Sequence, residues 1–454
     1  MTIAIKGIGL ATAQGSVSEI LTSATPRTAA ELPWTPDRWS ISRVCFAGLE
    51  IGSSLAGSAR WQALALKALS DVEGSGETPL LVASCNGSAA EVWEDAFDTS
   101  ALLAGTPWGA DRLPVFSSSC ASGMHALYAA RELLMSGVLD EVLVLAVDIL
   151  AQSNHQNFES LRVLAERPSA PWQSTSSGFV LGEAAVALRV GRGSGGGVVL
   201  QGPELGSDLL GVLEQVSPQS AGLIVGQGTG PFANDTAELA AFAAFVDKSV
   251  PIITPLTHFG HTLGASGLLS IALGALIHQT GSLPPTLASS TYCTGGHVQY
   301  VLASCRALNG ACGATMVGGD THATAQRHNE WNNTATSDPL MNKTLKQLAN
   351  EARAHRPPMP PDILILRMDK PLAPPPSAII GNRLLPSAVL EITPGFASQL
   401  IARCWGFSGP ALCLVGDVDK DPYRLTTAFR NSGKKVFQVN LRGTGDKRAI
   451  EWNV

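Results

Sequence analysis

The sequence has 454 residues, of which 45% are hydrophobic and only 15% are charged, and its net charge is −6. This length is ample for a large buried core, and mild acidity without a basic run argues against a nucleic-acid-binding protein. The longest apolar stretches are interrupted by Gly, Ser or His, so no membrane span is predicted. The N-terminus is typical of a strand and not of a signal peptide.

The cysteines are spread along the chain, at positions 45, 85, 120, 293, 305, 312, 404 and 413. They form no CxxC pair and no dense framework, which indicates reduced thiols in a cytoplasmic protein. The grouping nearest to a metal site is Cys293, His297, Cys305 and Cys312, whose spacing fits no common zinc pattern. We therefore expect no metal and no other cofactor.

The first 110 residues alternate short predicted strands and helices. Residues 60–69 have the apolar spacing of an amphipathic helix, and residues 78–84 form a continuous apolar strand that leads to Cys85. A cysteine in the loop after a strand can be reactive, but it is more often inert.

The segment FSSSCASGMH at positions 116–125 is the first that indicates chemistry. It begins as a strand, passes through small residues to Cys120 and continues as a helix that ends near Gly137. The N–H groups and dipole of a helix start favour a thiolate, and small neighbours let a substrate carbonyl approach. Cys120 is therefore a candidate nucleophile and the expected most reactive thiol. The alternative is a structural position among packed small residues.

A continuous apolar run at 141–147 predicts a central parallel strand that is covered on both faces. Residues 158–164 favour a short helical segment, which prolines at 168 and 171 end before a strand at 179–188. The run GRGSGGG at 191–197 predicts a flexible joint between two halves. It opens no helix, so it is not interpreted as a nucleotide-binding loop.

The second half, residues 198–320, repeats the alternation of strands and helices. A short buried strand at 222–226 leads into the loop QGTGPFAND at 227–235. Farther on, GHTLGASG at 260–267 precedes a helix that is apolar on all sides, which predicts burial. His261 stands at the start of this helix, so a cysteine and a histidine at two helix starts form the pair that activates a thiol.

These segments resemble the motifs of β-ketoacyl-[acyl carrier protein] synthases, which are condensing enzymes with the thiolase fold. The Cys120 segment is similar to their nucleophile motif, GHTLGASG to their second-histidine motif GHTLGAAG, and SGFVLGE at 177–183 to their GFVLGEG segment. IKGIG at 5–9 and LPPT at 283–286 match their first strand and a late turn. The resemblance covers residues 1 to about 320, and it implies an α/β protein with a five-layer α/β/α/β/α thiolase-like fold and a C-terminal extension.

Four regions follow from this alignment. We predict an N-terminal thiolase-like half with the nucleophile at 1–193, a second half at 198–322 and a polar, proline-rich linker at 323–361. Residues 362–454 resemble a partial condensing-enzyme unit, because 391–410 is similar to a helix and Gly-Leu-x-Gly-Pro turn that the family has before its nucleophile. The alternative is an unrelated α/β module.

The sequence departs from the family at three places. Gln227 stands where the family has its first catalytic histidine, and Leu256 stands where it usually has a lysine. Of the family's GFGGTN gating loop, only Gly310 clearly matches. A glutamine amide donates a hydrogen bond but carries no charge and moves no proton. A related branch works with Cys, His and Asn, so an amide is compatible with activity.

The resemblance implies catalytic roles for Cys120, His261 and Gln227. His125, inside the helix after Cys120, is interpreted as a buried structural histidine. His258 is expected either to line the site or to cap a turn.

Three functions are open at this stage. The first is a β-ketoacyl synthase-like acyltransferase that takes an acyl chain from an acyl carrier protein as a Cys120 thioester and transfers or condenses it in fatty-acid or polyketide-type biosynthesis. The second is a non-elongating, chain-length-factor-like partner of a ketosynthase, and the third is an unrelated cysteine hydrolase. For the first two, we expect a homodimer or a heterodimer with another ketosynthase that pairs through strands of the first half.

Overall fold

The structure is a computed structural model that describes residues 2–23, 25–36, 38, 40–49, 55–72, 77–88, 96–109, 112–168, 171–173, 176–193, 197–287, 298–319, 343–371, 379–380, 383–384, 394–421, 424–443 and 449–453.

The helices are α1 (Val17–Thr22), α2 (Gly57–Ser70), α3 (Thr99–Leu102), α4 (Ser122–Met135), α5 (Gln152–Leu161), α6 (Leu209–Val216), α7 (Phe232–Ala243), α8 (Leu256–Phe259), α9 (Ser266–Thr280), α10 (Lys343–Ala354), α11 (Pro394–Trp405) and α12 (Leu425–Asn431). The strands are β1 (Ile3–Thr12), β2 (Ala30–Glu31), β3 (Val44–Cys45), β4 (Leu80–Ala83), β5 (Val115–Phe116), β6 (Glu141–Asp148), β7 (Ala184–Arg192), β8 (Val198–Gly206), β9 (Leu223–Val225), β10 (Ile252–Ile253), β11 (Tyr300–Arg306), β12 (Cys312–Gly318), β13 (Ile363–Met368), β14 (Ile379–Ile380), β15 (Arg383–Leu384), β16 (Ala411–Val415), β17 (Val436–Arg442) and β18 (Ala449–Asn453).

The first half (residues 1–193) and the second half (residues 198–322), together called the body below, each contribute five strands with the same arrangement. In the first half the order is β1-β7-β6-β4-β5, and in the second half it is β8-β12-β11-β9-β10. In both, the first two neighbouring pairs are antiparallel and the last two are parallel. The halves are therefore two copies of one topology, and they are joined where β1 pairs with β8.

Three apolar clusters separate the layers. The largest lies between the two five-stranded arrangements and is filled by α4 and α9. A second lies under α2 on the outer face of the first half, and a third lies under α6 and α7 on the outer face of the second half. The order helix, sheet, helix, sheet, helix confirms the predicted five-layer α/β/α/β/α fold, with α4 and α9 buried at its centre.

Helix α9 is buried almost all round, because its side chains are apolar on every face. The stretch Leu263–Thr280 is long and apolar enough to cross a membrane by composition alone. Most of it is enclosed by the rest of the protein, which is typical of a core helix.

The C-terminal residues extend the sheet of the first half. Strands β16, β13, β17 and β18 follow β5 in the sheet order, and β16 pairs with β5 in antiparallel fashion. Residues 343–371 and 394–453 are called the C-terminal module below, within the residues described. The pairing that we expected at the strands of the first half is present, but its partner strand at β5 belongs to the same chain.

Part of the expected linker at 323–361 is helical. Helix α10 spans Lys343–Ala354, and Leu345, Leu348, Ala349 and Ala352 are buried in the cluster that also contains α11. The Trp405 indole N–H donates to the carbonyl oxygen of Ala352 at 2.5 Å. The C-terminal module therefore begins before residue 362, and the signal was the apolar spacing of three and four residues in α10. The other predicted domain boundaries stay predictions.

Candidate active site

Cys120 lies in a tight elbow, defined here as residues 117–121, between β5 and α4. Ser119 has a left-handed backbone with φ of 57°, which is uncommon for a residue with a side chain. The Ser122 hydroxyl accepts from the Ser118 N–H at 2.9 Å and donates to the Ser119 carbonyl at 2.6 Å. The Ser118 hydroxyl is bonded to His125 Nδ1 at 2.8 Å. The first two turns of α4 therefore hold the elbow in its strained shape.

The Cys120 thiol is buried, with only 1% of the residue exposed. Burial raises its pKa to about 11, although the Ser119 hydroxyl and the backbone N–H groups of Leu308 and Cys120 act in the opposite direction. Desolvation therefore outweighs the stabilisation of the thiolate that was expected at the helix start. The Cys120 thiol is neutral near pH 7. Among the described cysteines, Cys404 is the most accessible, so the expectation that Cys120 is the most reactive thiol needs revision for small alkylating reagents.

His261 is held by backbone and ring contacts. Its N–H donates to the Val180 carbonyl at 2.8 Å, and its ring lies 4.5 Å from the ring of Phe179 between centroids. His261 Nδ1 accepts from the Leu263 N–H at 3.1 Å. Burial lowers the pKa of His261 to about 4, so the ring is neutral near pH 7. Since Nδ1 is an acceptor, the ring proton is on Nε2.

Gln227 and His261 lie opposite each other within the second half. Its Oε1 accepts a short hydrogen bond from the Arg306 N–H, which leaves the amide nitrogen directed to the other side. That Nε2 atom lies 3.5 Å from His261 Nε2. Both atoms carry protons, so neither satisfies the other. Two N–H donors therefore converge on one point, where an oxygen atom of a substrate would be held.

The loop of residues 226–231, called the Gln227 loop, is fixed by two buried carboxylates of α7. Glu238 accepts from the N–H groups of Gln227 and Gly228, both at 2.9 Å, and from the Trp172 indole at 2.9 Å. Asp235 accepts from Gly230 N–H at 2.8 Å. These bonds explain why Asp235 and Glu238 accompany the loop: they satisfy backbone N–H groups that the tight turn leaves without partners.

A small cavity lies beside the pair of donors. Its lining comprises Gln227, Pro255, Leu256, Gly260, His261, Thr262, Ser266 and Ser270. Leu256 contributes an apolar wall at the position where the resemblance implies a lysine. His258 is not among the lining residues, and its carbonyl accepts from the Gln14 amide at 2.5 Å.

Asp148 joins the two motifs, and it was not predicted as a site residue. This buried carboxylate accepts from the Ser84 hydroxyl at 2.8 Å and the N–H groups of Cys85 at 2.9 Å, Asn86 at 3.1 Å and Gly264 at 2.7 Å. Burial raises its pKa to about 6 against the effect of these bonds. It thereby ties the loop after β4 to the start of the His261 helix. The only sequence signal was an acid at the end of a continuous apolar strand.

The elbow and the turn after His261 are in close contact. A Cβ atom on Gly123 would lie 3.0 Å from the Gly264 carbonyl oxygen, and one on Gly264 would lie 3.1 Å from Ser122 Cβ. Only glycine at these positions lets the two helix starts approach so closely. The structure therefore brings Cys120, His261 and Gln227 into one region, and their catalytic roles stay predictions.

Other candidates have structural surroundings. His125 is buried, with Nδ1 bonded to Ser118 and no partner for Nε2 among the described residues, and burial lowers its pKa to about 3. Cys293 and His297, half of the grouping weighed as a metal site, lie outside the described residues. Within the described part of the chain, no group of three or more His, Cys, Asp or Glu side chains could hold a metal ion.

Two family models match the chain in the order in which its motifs occur. The model described as "Beta-ketoacyl synthase, N-terminal domain" matches residues 114–194, and "Beta-ketoacyl synthase, C-terminal domain" matches residues 212–290. The first match contains the elbow and the second contains both donors. Over these two segments the chain is similar to β-ketoacyl synthases.

Two curated relatives are matched over about half of their own length. The putative polyketide beta-ketoacyl synthase 1 of Streptomyces virginiae is 27% identical, with 38% of this chain and 49% of the relative covered. Nodulation protein E of Rhizobium leguminosarum bv. trifolii is 29% identical, with 38% and 51% covered. The chain thus spans about half the length of each of these two curated relatives.

Solved ketosynthases share the fold. The type II polyketide ketosynthase AntDE, solved in complex with its acyl carrier protein AntF, has a TM-score of 0.58 at 16% identity, over 70% of this chain and 99% of that one. The structure titled PfaC keto synthase–chain length factor has a TM-score of 0.69 at 13% identity, over 97% of this chain and 74% of that one. The second match includes the C-terminal module, whereas the first leaves out nearly a third of the chain.

Proposed function

We propose that this protein is an acyltransferase of the ketosynthase family that loads an acyl chain from an acyl carrier protein onto Cys120 and transfers or condenses it. The single observation that supports this is the 3.5 Å approach of Gln227 Nε2 to His261 Nε2, in the half of the protein whose Gly264 turn packs against the start of the Cys120 helix. We propose fatty-acid or polyketide-type biosynthesis in the cytoplasm as its setting. The acyl carrier protein in the AntDE complex is the model for the proposed donor.

In the loading step, the Cys120 sulfur attacks the thioester carbonyl of the acyl carrier protein. A bond forms between this sulfur and the acyl carbon, the bond from the acyl carbon to the carrier's sulfur breaks, and the departing thiolate takes the Cys120 proton. The N–H groups of Leu308 and Cys120 act on the sulfur. We propose them as the donors for the oxyanion that develops on the acyl carbonyl. A neutral thiol makes the transfer of its proton part of the barrier.

In the condensing step, a malonyl thioester loses CO2 and its enolate carbon attacks the acyl group on Cys120. A carbon–carbon bond forms, and the Cys120 thiolate leaves. The enolate oxygen would accept from Gln227 Nε2–H and His261 Nε2–H, which are fixed before the reaction by Arg306 and Leu263. This step needs charge stabilisation and no proton from Gln227, so a glutamine is sufficient.

A non-elongating partner subunit is the second candidate. The burial of Cys120, the raised pKa of its thiol and the apolar Leu256 favour it. A cysteine hydrolase is disfavoured, because His261 Nδ1 accepts from a backbone N–H and therefore cannot donate to an orienting carboxylate.

The substitution Gln227→Ala tests the proposed role of the donors. It should raise the activation free energy of decarboxylative condensation by about 3 kcal/mol, which slows that step roughly 100-fold, while acyl loading on Cys120 survives. Gln347→Ala, on the exposed face of α10, is the matched control and should change neither step. Unchanged condensation in Gln227→Ala would contradict the enolate role, and absence of condensation in the wild type with intact loading would favour the partner function.

A further inference from the structure

The C-terminal module repeats the strand arrangement of the first half. Its order β16-β13-β17-β18 mirrors β5-β4-β6-β7 across the pair formed by β5 and β16. In each set the innermost two pairs are parallel and the outermost pair is antiparallel. In each set the strand at the junction, β5 or β16, is also the second of its four strands along the chain. The module is therefore a copy of four of the five strands of a half.

The helices repeat as well. Helix α4 follows β5 and α12 follows β16, and both lie on the face that contributes to the central cluster. Helices α2 and α10 precede β4 and β13, and both lie on the opposite face. Strands and helices thus follow a local two-fold relation whose axis passes between β5 and β16.

The junction between the two copies contacts the elbow directly. Phe116 pairs with Leu414, Val115 pairs with Val415, and the Ser117 N–H donates to the Cys413 carbonyl at 3.0 Å. On the outer face, a Cβ atom on Gly395 of α11 would lie 2.5 Å from Ser118 Cα and 2.7 Å from the Ser117 carbonyl oxygen. The module therefore supports the backbone that carries Cys120 from two sides.

A second contact joins the two equivalent helices. The rings of Tyr128 on α4 and Phe429 on α12 stack with centroids 6.1 Å apart. Lys434 Nζ donates to the Tyr128 hydroxyl at 3.0 Å and lies 3.2 Å from Glu132 Oε1. Tyr128 and Glu132 are each only 2% exposed. The module thus covers the outward face of the helix that follows the nucleophile.

The second copy has no cysteine at the equivalent place. Cys120 stands four residues after the end of β5, and Asp419 stands four residues after the end of β16. Within the described residues, the module also has no counterpart of the second half that supplies Gln227 and His261. Any condensing site of this chain is therefore in the body.

We propose that the C-terminal module is a built-in partner: a catalytically empty condensing-enzyme half that occupies in cis the β5 edge where a second unit would dock. One chain then contains both members of the pair, and the module positions the Cys120 elbow. This inference concerns the sheet edge and stands whether or not Cys120 carries an acyl chain.

Amide hydrogen exchange and light scattering of the full chain test the proposal together. Residues 113–118 should be protected equally from sub-micromolar to high micromolar concentration, in a particle with the 47.2 kDa mass of one chain. Protection that grows with concentration together with a particle of twice that mass would show that the edge is covered by another molecule. That result would overturn the proposal without touching the proposed chemistry.

The substitution Gly395→Val tests the positioning role. The added side chain would meet the Ser117–Ser118 backbone, so exchange at 113–120 should accelerate by about tenfold and acyl loading should fall. Gly319→Val is the matched control, because a Cβ atom there meets nothing within 4 Å. Equal exchange rates in the two variants, with both folded by circular dichroism, would contradict the positioning role of the module.

Discussion

The first half and the C-terminal module have the same strand order and differ in what their loops hold. In the first half the loops end in the strained elbow, the buried Asp148 and the start of α4. In the module Asp419 stands at the position equivalent to Cys120. The partly exposed Asp369, which directly follows β13, has a carboxylate that accepts from the N–H groups of Val418 and Gly443, both at 3.2 Å. Apolar strands preserve the topology in both, whereas a few polar residues decide which copy can support chemistry.

The two carboxylates give the largest expected contrast. Asp148→Ala leaves one hydroxyl and three backbone N–H groups without a buried acceptor, so the free energy of unfolding should fall by about 4 kcal/mol. Asp369→Ala should lower the free energy of unfolding by only about 1 kcal/mol, because the two N–H groups that donate to Asp369 can bond to water instead. Chemical denaturation of both variants measures the difference. Equal losses would show that Asp148 is not the tie between the motifs that the geometry indicates.

The thiols of the two copies should differ in their response to pH. With a pKa of about 11, Cys120 should be alkylated by iodoacetamide about tenfold faster for each pH unit between 7 and 9. Cys413 in β16 should stay unreactive, because burial raises its pKa further. The measurement is peptide mass spectrometry in a Cys404→Ser background, which removes the most accessible described thiol. A Cys120 rate that does not change with pH would mean that the thiolate already exists at pH 7.

A smaller expected effect is the pH dependence of stability that His125 in α4 causes. His125 has a folded pKa of about 3 against 6.5 unfolded, so only the unfolded state gains its proton as pH falls below 6.5. Between pH 6 and 5 the wild type should lose about 1 kcal/mol more stability than His125→Gln. Asp148 acts in the opposite direction, since its folded pKa is raised, but it is common to both proteins. Parallel stability curves would contradict this account of His125.

The sequence permitted the prediction of the five-layer fold, because strand and helix patterns and family motifs are local. It also placed Cys120, His261 and Gln227, since each stands at a recognisable turn. It could not provide Asp148 or the Leu308 N–H, whose roles depend on contacts between segments far apart in the chain. The helix start before Cys120 predicts a lowered thiol pKa, whereas burial raises it. A helix start can be predicted from local sequence, but desolvation depends on the packing of distant segments.

The sequence also indicated a partial condensing-enzyme unit at the C-terminus, and the local two-fold relation to the first half became visible only in the sheet order. The pairing of β5 with β16 joins segments about 300 residues apart and leaves no periodic pattern in the sequence, so it could not be predicted. The close approach of Gly395 to Ser118 is of the same kind.

Acyl loading is the most direct test of the central claim. The full-length Cys404→Ser protein is incubated with acyl-loaded acyl carrier protein, and its intact mass is measured by mass spectrometry. We expect one added acyl group that maps to Cys120 and disappears in Cys120→Ala, while Cys413→Ala retains it. No adduct with any acyl carrier donor, or an adduct that persists in Cys120→Ala, would contradict the proposed function.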